Sequence, residues 1–224
     1  MRGIIHLLIT VSLAVPAAAI AAPELESDDD KVIYVMGIAM GRNFPSLGLT
    51  ERETEILYRG LSDQLAGREL AVEPNEYGQK VQALVETRLA VMASEERDAS
   101  SDFVKQAAAV KGARTTESGL IYLEASEGTG EKPAVTDSVT VHYTGTLRDG
   151  SVFDSSHKRG EPASFALNRV IPCWTEALQR MKVGGKATIV CPSDIAYGDR
   201  GAPGGLIKPG AALKFEVELL SIDQ

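Results

Sequence analysis

The chain has 224 residues, of which 44% are hydrophobic and 24% charged, and its net charge is −8. That length suits one or two domains, and an acidic chain without a basic block argues against nucleic acid as a partner. No cofactor motif, glycine-rich phosphate loop or metal-ligand pattern is present, since Cys173 and Cys191 with no close His do not supply four ligands.

The first residues read as an address. Met1-Arg2-Gly3 gives a short positive start, Ile4 to Val15 an apolar run, and Ala17 to Ala22 a stretch of small residues. This is the plan of a secretory signal peptide over residues 1–21, with Ala19-Ile20-Ala21 as the cleavage motif. A membrane span is the weaker reading, because the apolar run is short and Pro16 interrupts it. The expected location is the periplasm, with outer-membrane association left open and no membrane insertion after cleavage. Arg2 is the only charge removed, so the net charge moves from −8 to −9. No Cys stands near the cleavage motif, so a lipid-attached form is not expected. Residues 22–31, including Asp28-Asp29-Asp30, are too polar to bury anything and read as a loose acidic tail.

From Val32 to Gly112 the hydrophobic period is helical. Val32, Val35, Met36, Ala39 and Met40 form one stripe. Thr50 and Glu53 make a capping box for a second helix carrying Ile56, Leu57, Leu61 and Leu65, which Gly67 is placed to end. A third helix can start at Pro74 and carries Tyr77, Val81, Leu84, Val85, Leu89 and Met92. With no Gly or Pro between Gly78 and Gly112, it can run for about 30 residues, roughly 45–50 Å. Three such helices have too little mass to bury their own stripes. A partner surface is needed, and a second copy of the chain is the commonest solution. Gly37 and Gly41 suit close helix contact, within one chain or between two.

The second half alternates with a period of two. Val139, Val141 and Tyr143 alternate with polar neighbours, as do Leu213, Phe215, Val217 and Leu219. Ser118 to Glu124, Ser164 to Leu167 and Lys186 to Cys191 read as further strands, Asp149-Gly150 as a hairpin turn, and Trp174 to Met181 as one short helix. The fold class is therefore α+β: a C-terminal antiparallel β-sheet wrapped on a short helix, after an all-α region with a long connecting helix. Cys173 and Cys191 allow one disulfide in an oxidising compartment, the alternative being two buried free thiols. His142 and His157 are expected to point to solvent.

Four blocks carry a resemblance: VTVHYTGTLRDGSVFDSS (Val139–Ser156), VIPCW (Val170–Trp174), AYGDRGAPG (Ala196–Gly204) and LKFEVELL (Leu213–Leu220). In this order and at this spacing, the segment resembles the FK506-binding (FKBP) family of peptidyl-prolyl isomerases. YVMGIAMGRN and LSDQLAGREL, in the helical half, resemble the dimerisation domain of the FkpA and Mip type within it. The resemblance implies residues 32–112 as a helical dimerisation domain and 113–224 as the isomerase domain. Trp174 then forms the pocket floor, and Tyr143, Phe153, Val170, Ile171 and Phe215 form the walls. Tyr197 donates a hydrogen bond to the ligand carbonyl, and Asp154 sits at the pocket edge, held by Tyr143 and Arg159. Leu206 and Ile207 flank the entrance. Core packing is the alternative role for each apolar residue taken alone, and a turn residue and a half-buried tyrosine are the alternatives for Asp154 and Tyr197. Cys173 stands where the family commonly has glycine, and a bond to Cys191 would tie the helix start to the strand end. Ala163, Ala202 and Arg169 also differ from the best-known single-domain members.

The implied partners are proline-containing unfolded or partly folded polypeptides, a second copy of the chain, and macrolide inhibitors, with no cofactor. The implied activity is cis–trans isomerisation of X–Pro bonds in secreted proteins. The alternative is a holdase chaperone whose dimeric cradle binds unfolded clients, with isomerisation secondary.

Overall fold

A computed structural model describes residues 23–42 and 47–223, and the expected signal peptide lies outside the described residues. The compact units of the chain divide after Ala39, inside the first helix.

Helix α1 (Asp28–Arg42) begins three residues after Leu25, within the stretch expected to be a loose tail. The correction has a local cause. Ser27 and Asp30 cap each other reciprocally, the Asp30 N–H donating to Ser27 Oγ (3.1 Å) and the Ser27 N–H to Asp30 Oδ2 (2.8 Å). Three aspartates in the first turn also face the positive end of the helix dipole. No residue of α1 is buried.

Helix α2 (Glu51–Leu65) starts at the expected box: Thr50 Oγ1 accepts from the Glu53 N–H, and the Glu53 carboxylate accepts from the Thr50 N–H at 2.9 Å. At its other end Gly67 takes φ +61°, letting the Arg68 N–H reach back to the Asp63 carbonyl at 2.9 Å. Helix α3 (Pro74–Ala108) is a single run of 35 residues, about 52 Å long. Arg88 of α3 binds the α2 cap residue Glu53, with Nη1–Oε2 at 3.2 Å, so the capping box is also the tie between the two helices.

The remainder is a seven-stranded sheet with one main helix against it. Strands β1 (Arg114–Thr115), β2 (Ile121–Ser126), β3 (Ser138–Thr146), β4 (Val152–Ser155), β5 (Ala163–Ala166), β6 (Lys186–Cys191) and β7 (Leu213–Asp223) run in the order β1-β2-β6-β7-β3-β4, and β5 also pairs with β3. Every pairing is antiparallel. Among the described residues, strand β7 is the only link between the β1-β2-β6 group and the β3-β4-β5 group. Along β3 and β7 the buried positions fall on alternate residues, as their sequences require.

A single turn, α4 (Ser156–Arg159), follows β4, and helix α5 (Pro172–Leu178) buries Cys173, Trp174, Ala177 and Leu178 against the sheet. Helix α5 begins at Pro172, whose missing N–H costs nothing at a first helical position. Cys173 and Cys191 form the disulfide, with Cα atoms 5.8 Å apart, joining α5 to the end of β6. Helix α3 rests on this half through Ala93 and Ser100, its only buried residues.

Candidate active site

The site forms where the alternation of β3 and β7 turns aromatic side chains towards α5. Tyr143 and Val217 are register partners, as are Gly145 and Phe215, so both rings emerge on the inner face. Gly145 makes room for them: a Cβ there would overlap the rings of Phe153 and Phe215. From α5, Trp174 inserts edge-to-face among Tyr143, Phe215 and Phe165, with ring centroids 5.0, 5.3 and 5.4 Å away. Such edge contacts suit the aromatic quadrupole and hold each ring at one angle. The Thr175 hydroxyl donates to the Leu167 carbonyl at 2.6 Å, and the Trp174 N–H to that of Ile171 at 2.9 Å, locking α5 to the turn before it.

The result is a cavity of about 320 Å³ lined by Tyr143, Phe153, Asp154, Phe165, Arg169, Val170, Ile171, Trp174, Tyr197 and Phe215. All eight of the expected pocket residues Asp154, Tyr197, Trp174, Tyr143, Phe153, Val170, Ile171 and Phe215 are brought together here. Leu206 and Ile207 are not. The Ala202 N–H bonds back to the Ile207 carbonyl at 3.0 Å, which folds the loop on itself and turns Ile207 into the core. Leu206 is left in solvent, away from the cavity lining. Phe165 and Arg169 line the cavity without having been expected. Phe165 lay within an expected strand, and Arg169 directly precedes the Val170-Ile171 wall, so position in the motif was the only available signal.

Polar groups are few and mostly paired. Asp154 accepts from the Tyr143 hydroxyl through Oδ2 and from Arg159 Nη1 through Oδ1, while Arg159 Nη2 donates to the Tyr143 hydroxyl at 3.1 Å. Burial works to raise the Asp154 carboxyl, but the bonds from Tyr143 and Arg159 outweigh it and hold the group below the usual carboxylate value. Burial, reinforced by the Asp154 charge, raises the phenols of both Tyr143 and Tyr197, so both keep their protons at neutral pH. The Tyr197 hydroxyl is bonded to no other described residue, which leaves it as a donor for a ligand. Trp174 Nε1 is buried with no hydrogen-bond partner among the described residues.

His157 is exposed as expected, whereas His142 is half-buried beside it. Their rings stack at 4.5 Å, and His142 Nδ1 lies 3.0 Å from the buried Ser156 hydroxyl. That hydroxyl also accepts from the Tyr143 N–H at 2.8 Å. The pair therefore braces the backbone behind Tyr143 from outside the cavity. No group of three or more His, Cys, Asp or Glu side chains suited to a metal occurs among the described residues.

An aromatic cavity under a loop tyrosine, with one carboxylate held at its rim, invites comparison with known proteins. Residues 129–220 match the family profile for FKBP-type peptidyl-prolyl cis-trans isomerases, and residues 29–123 match the domain found amino-terminal to it. The FKBP-type isomerase FkpA of Aeromonas hydrophila is 40% identical over 93% of this chain and 81% of its own length. The chain belongs to the FKBP-type peptidyl-prolyl cis-trans isomerase family. Among its relatives, the 22 kDa FKBP-type isomerase of Escherichia coli is also 40% identical, over 89% of this chain and 98% of its own. The outer membrane protein MIP of Legionella longbeachae is 35% identical over 99% and 97%. The crystal structure of FkpA from Escherichia coli superposes with a TM-score of 0.61 at 34% identity, covering 89% of this chain and 99% of that one. Within this FKBP-type chain the disulfide links the helix bearing Trp174 to the strand that leads towards Tyr197.

Proposed function

We propose that the chain is a peptidyl-prolyl cis–trans isomerase acting on proline-containing unfolded or partly folded polypeptides. The observation that carries this is the ten-residue cavity itself, apolar apart from a rim carboxylate, one cation and a free phenol. The X–Pro bond turns against a barrier of about 20 kcal/mol, because the twisted state gives up amide resonance. An enzyme needs no nucleophile to lower it, only tighter binding of the twisted amide than of either planar isomer. In this reading Trp174 supports the proline ring from below, with Tyr143, Phe153, Val170, Ile171 and Phe215 around it. The twisted carbonyl is less polar than the planar one, so an apolar cavity favours it. Tyr197 donates a hydrogen bond to a substrate carbonyl and fixes its orientation, and Asp154, kept ionised by Tyr143 and Arg159, faces the same region. Lowering the barrier by about 7 kcal/mol would accelerate rotation roughly 10⁵-fold. Macrolides that fill the same cavity would compete with substrate.

The same proposal covers organisation and location. Residues 113–224 carry the site, and residues 32–112 join two copies of the chain. In support, Val32, Ile33, Val35 and Met36 of α1 are each more than half exposed in the single chain. Residues 1–21 direct the chain to the periplasm, in keeping with the disulfide and with a relative named for the outer membrane. A holdase chaperone is not favoured, since the relatives are named as isomerases.

The test is the refolding of a proline-limited, disulfide-free protein. Catalytic amounts of the chain should speed the slow phase, and Asp154→Ala should weaken that effect. An unchanged slow phase at all enzyme concentrations would overturn the isomerase reading.

A further inference from the structure

Tyr197 stands at the start of a loop that is poorly suited to hold it still. Between Gly198 and Gly210, five glycines adopt positive φ (Gly198, Gly201, Gly204, Gly205 and Gly210), and Leu206 at its tip is 68% exposed. Such a segment has much backbone freedom to lose on ordering. Three internal hydrogen bonds close it, from the Ala202 N–H to the Ile207 carbonyl at 3.0 Å, from the Gly205 N–H to the Ala202 carbonyl at 3.3 Å and from the Gly210 N–H to the Gly198 carbonyl at 2.9 Å. Ile207 and Pro209 anchor it in the core of the catalytic half, and a further constraint comes from outside that half.

Helix α3 lies against this loop at two points. Ala93 is 0% exposed, and its backbone sits so close to Gly210 that a Cβ on the glycine would overlap it. One turn further along α3, Arg97 pairs with Asp199. The neighbouring Glu96 accepts from Arg148 Nε at 2.7 Å, fastening the same stretch of α3 to the hairpin between β3 and β4. A short path runs from Ala93 to Gly210, across one hydrogen bond to Gly198, and so to the residue beside Tyr197. Arg97 and Asp199 are both substantially exposed, so their pairing adds little to global stability. Its use is geometric, fixing a further point of the loop two residues after Tyr197.

We propose that Ala93 and Arg97 of α3 are positioning residues for the isomerase site, seating the Gly198–Gly210 loop so that the Tyr197 hydroxyl meets the substrate carbonyl. Helix α3, which precedes the isomerase half in the chain, is thereby part of the catalytic apparatus, and displacing it at this point alters how substrate is bound. This rests on the isomerase reading and on the role given there to Tyr197.

The test is a double-mutant cycle on the full chain, with a short Xaa-Pro peptide as substrate. Arg97→Glu, which sets a like charge against Asp199, should raise KM about 3- to 10-fold with little change in kcat or Tm. The swap R97D/D199R should restore KM. In a Tyr197→Phe background, which lacks the hydroxyl being positioned, Arg97→Glu should have almost no further effect. Ala93→Leu, which levers the helix off Gly210, should show the same dependence on Tyr197. A wild-type KM in Arg97→Glu, failure of the swap to restore it, or equal losses with and without the Tyr197 hydroxyl would each overturn the proposal. A wild-type chain inactive on every peptide would instead fail the isomerase reading.

Discussion

Asp154 carries the only charge of the site that is held from two sides. Its carboxylate binds a phenol and a guanidinium, and both bonds are charge-assisted. Asp154→Ala strands Arg159 beside an apolar cavity and releases the Tyr143 hydroxyl, so kcat/KM for a short Xaa-Pro peptide should fall about 10- to 100-fold. The sign of its pH dependence follows from the lowered carboxyl. With a folded value beneath the ordinary 3.8, the pair contributes its full stabilisation above that pH and loses it as pH falls through the lower folded value. A titration from pH 7 to 5 should therefore leave substrate affinity unchanged in the wild type. At Gly145 the expectation is steric: Gly145→Ala drives a methyl group into Phe153 and Phe215, and both Tm and peptide affinity should drop.

Elements show where sequence was informative and where it was not. The Thr50–Glu53 box, the long α3 and the alternation of β3 and β7 were legible because each depends on residues close in the chain. The two-residue strand β1 was not, because it exists only by pairing with β2. Ile207 was misplaced because a bond across its own loop turns it inward. The stacking of His142 on His157 likewise depends on the register of β3 against the turn after β4. The α2–α3 tie is testable by acid. The Arg88 guanidinium, with the Thr50 backbone N–H, holds the Glu53 carboxyl at about 2, far below 4.5. Its stabilising effect is complete above pH 4.5 and disappears as pH approaches 2. Thermal melts of the wild type and Glu53→Gln should therefore differ at neutral pH and converge in strong acid. For the disulfide, the cysteines are 18 residues apart in sequence, so replacing both by Ser should cost about 3 kcal/mol in denaturant unfolding.

At the scale of the whole molecule, the apolar surface of α1 is the feature a lone chain leaves unresolved. Sedimentation of the chain at micromolar concentration should give twice the monomer mass, and charged substitutions at Val32 and Met36 together should halve it. Eight of the ten cavity residues were legible jointly, as spaced blocks, although each apolar one alone reads as ordinary core. Phe165 and Arg169 were not assigned to the cavity, because Phe165 reads as an ordinary strand residue and Arg169 is marked only by its place before the Val170-Ile171 wall.

Strand β7 has a consequence for how the chain is made. Among the described residues it alone joins two groups of strands, and it comes last in chain order, beginning at Leu213 after β6 has ended at Cys191. A nascent chain can complete α2 and α3 from local contacts, but its two half-sheets must wait, each with an open edge, for the strand that closes them. Until then this chain is itself an incompletely folded polypeptide with exposed strand edges. Because Phe215 of β7 lines the cavity, the site is complete only once this strand has paired, so a newly synthesised copy cannot assist its own early folding.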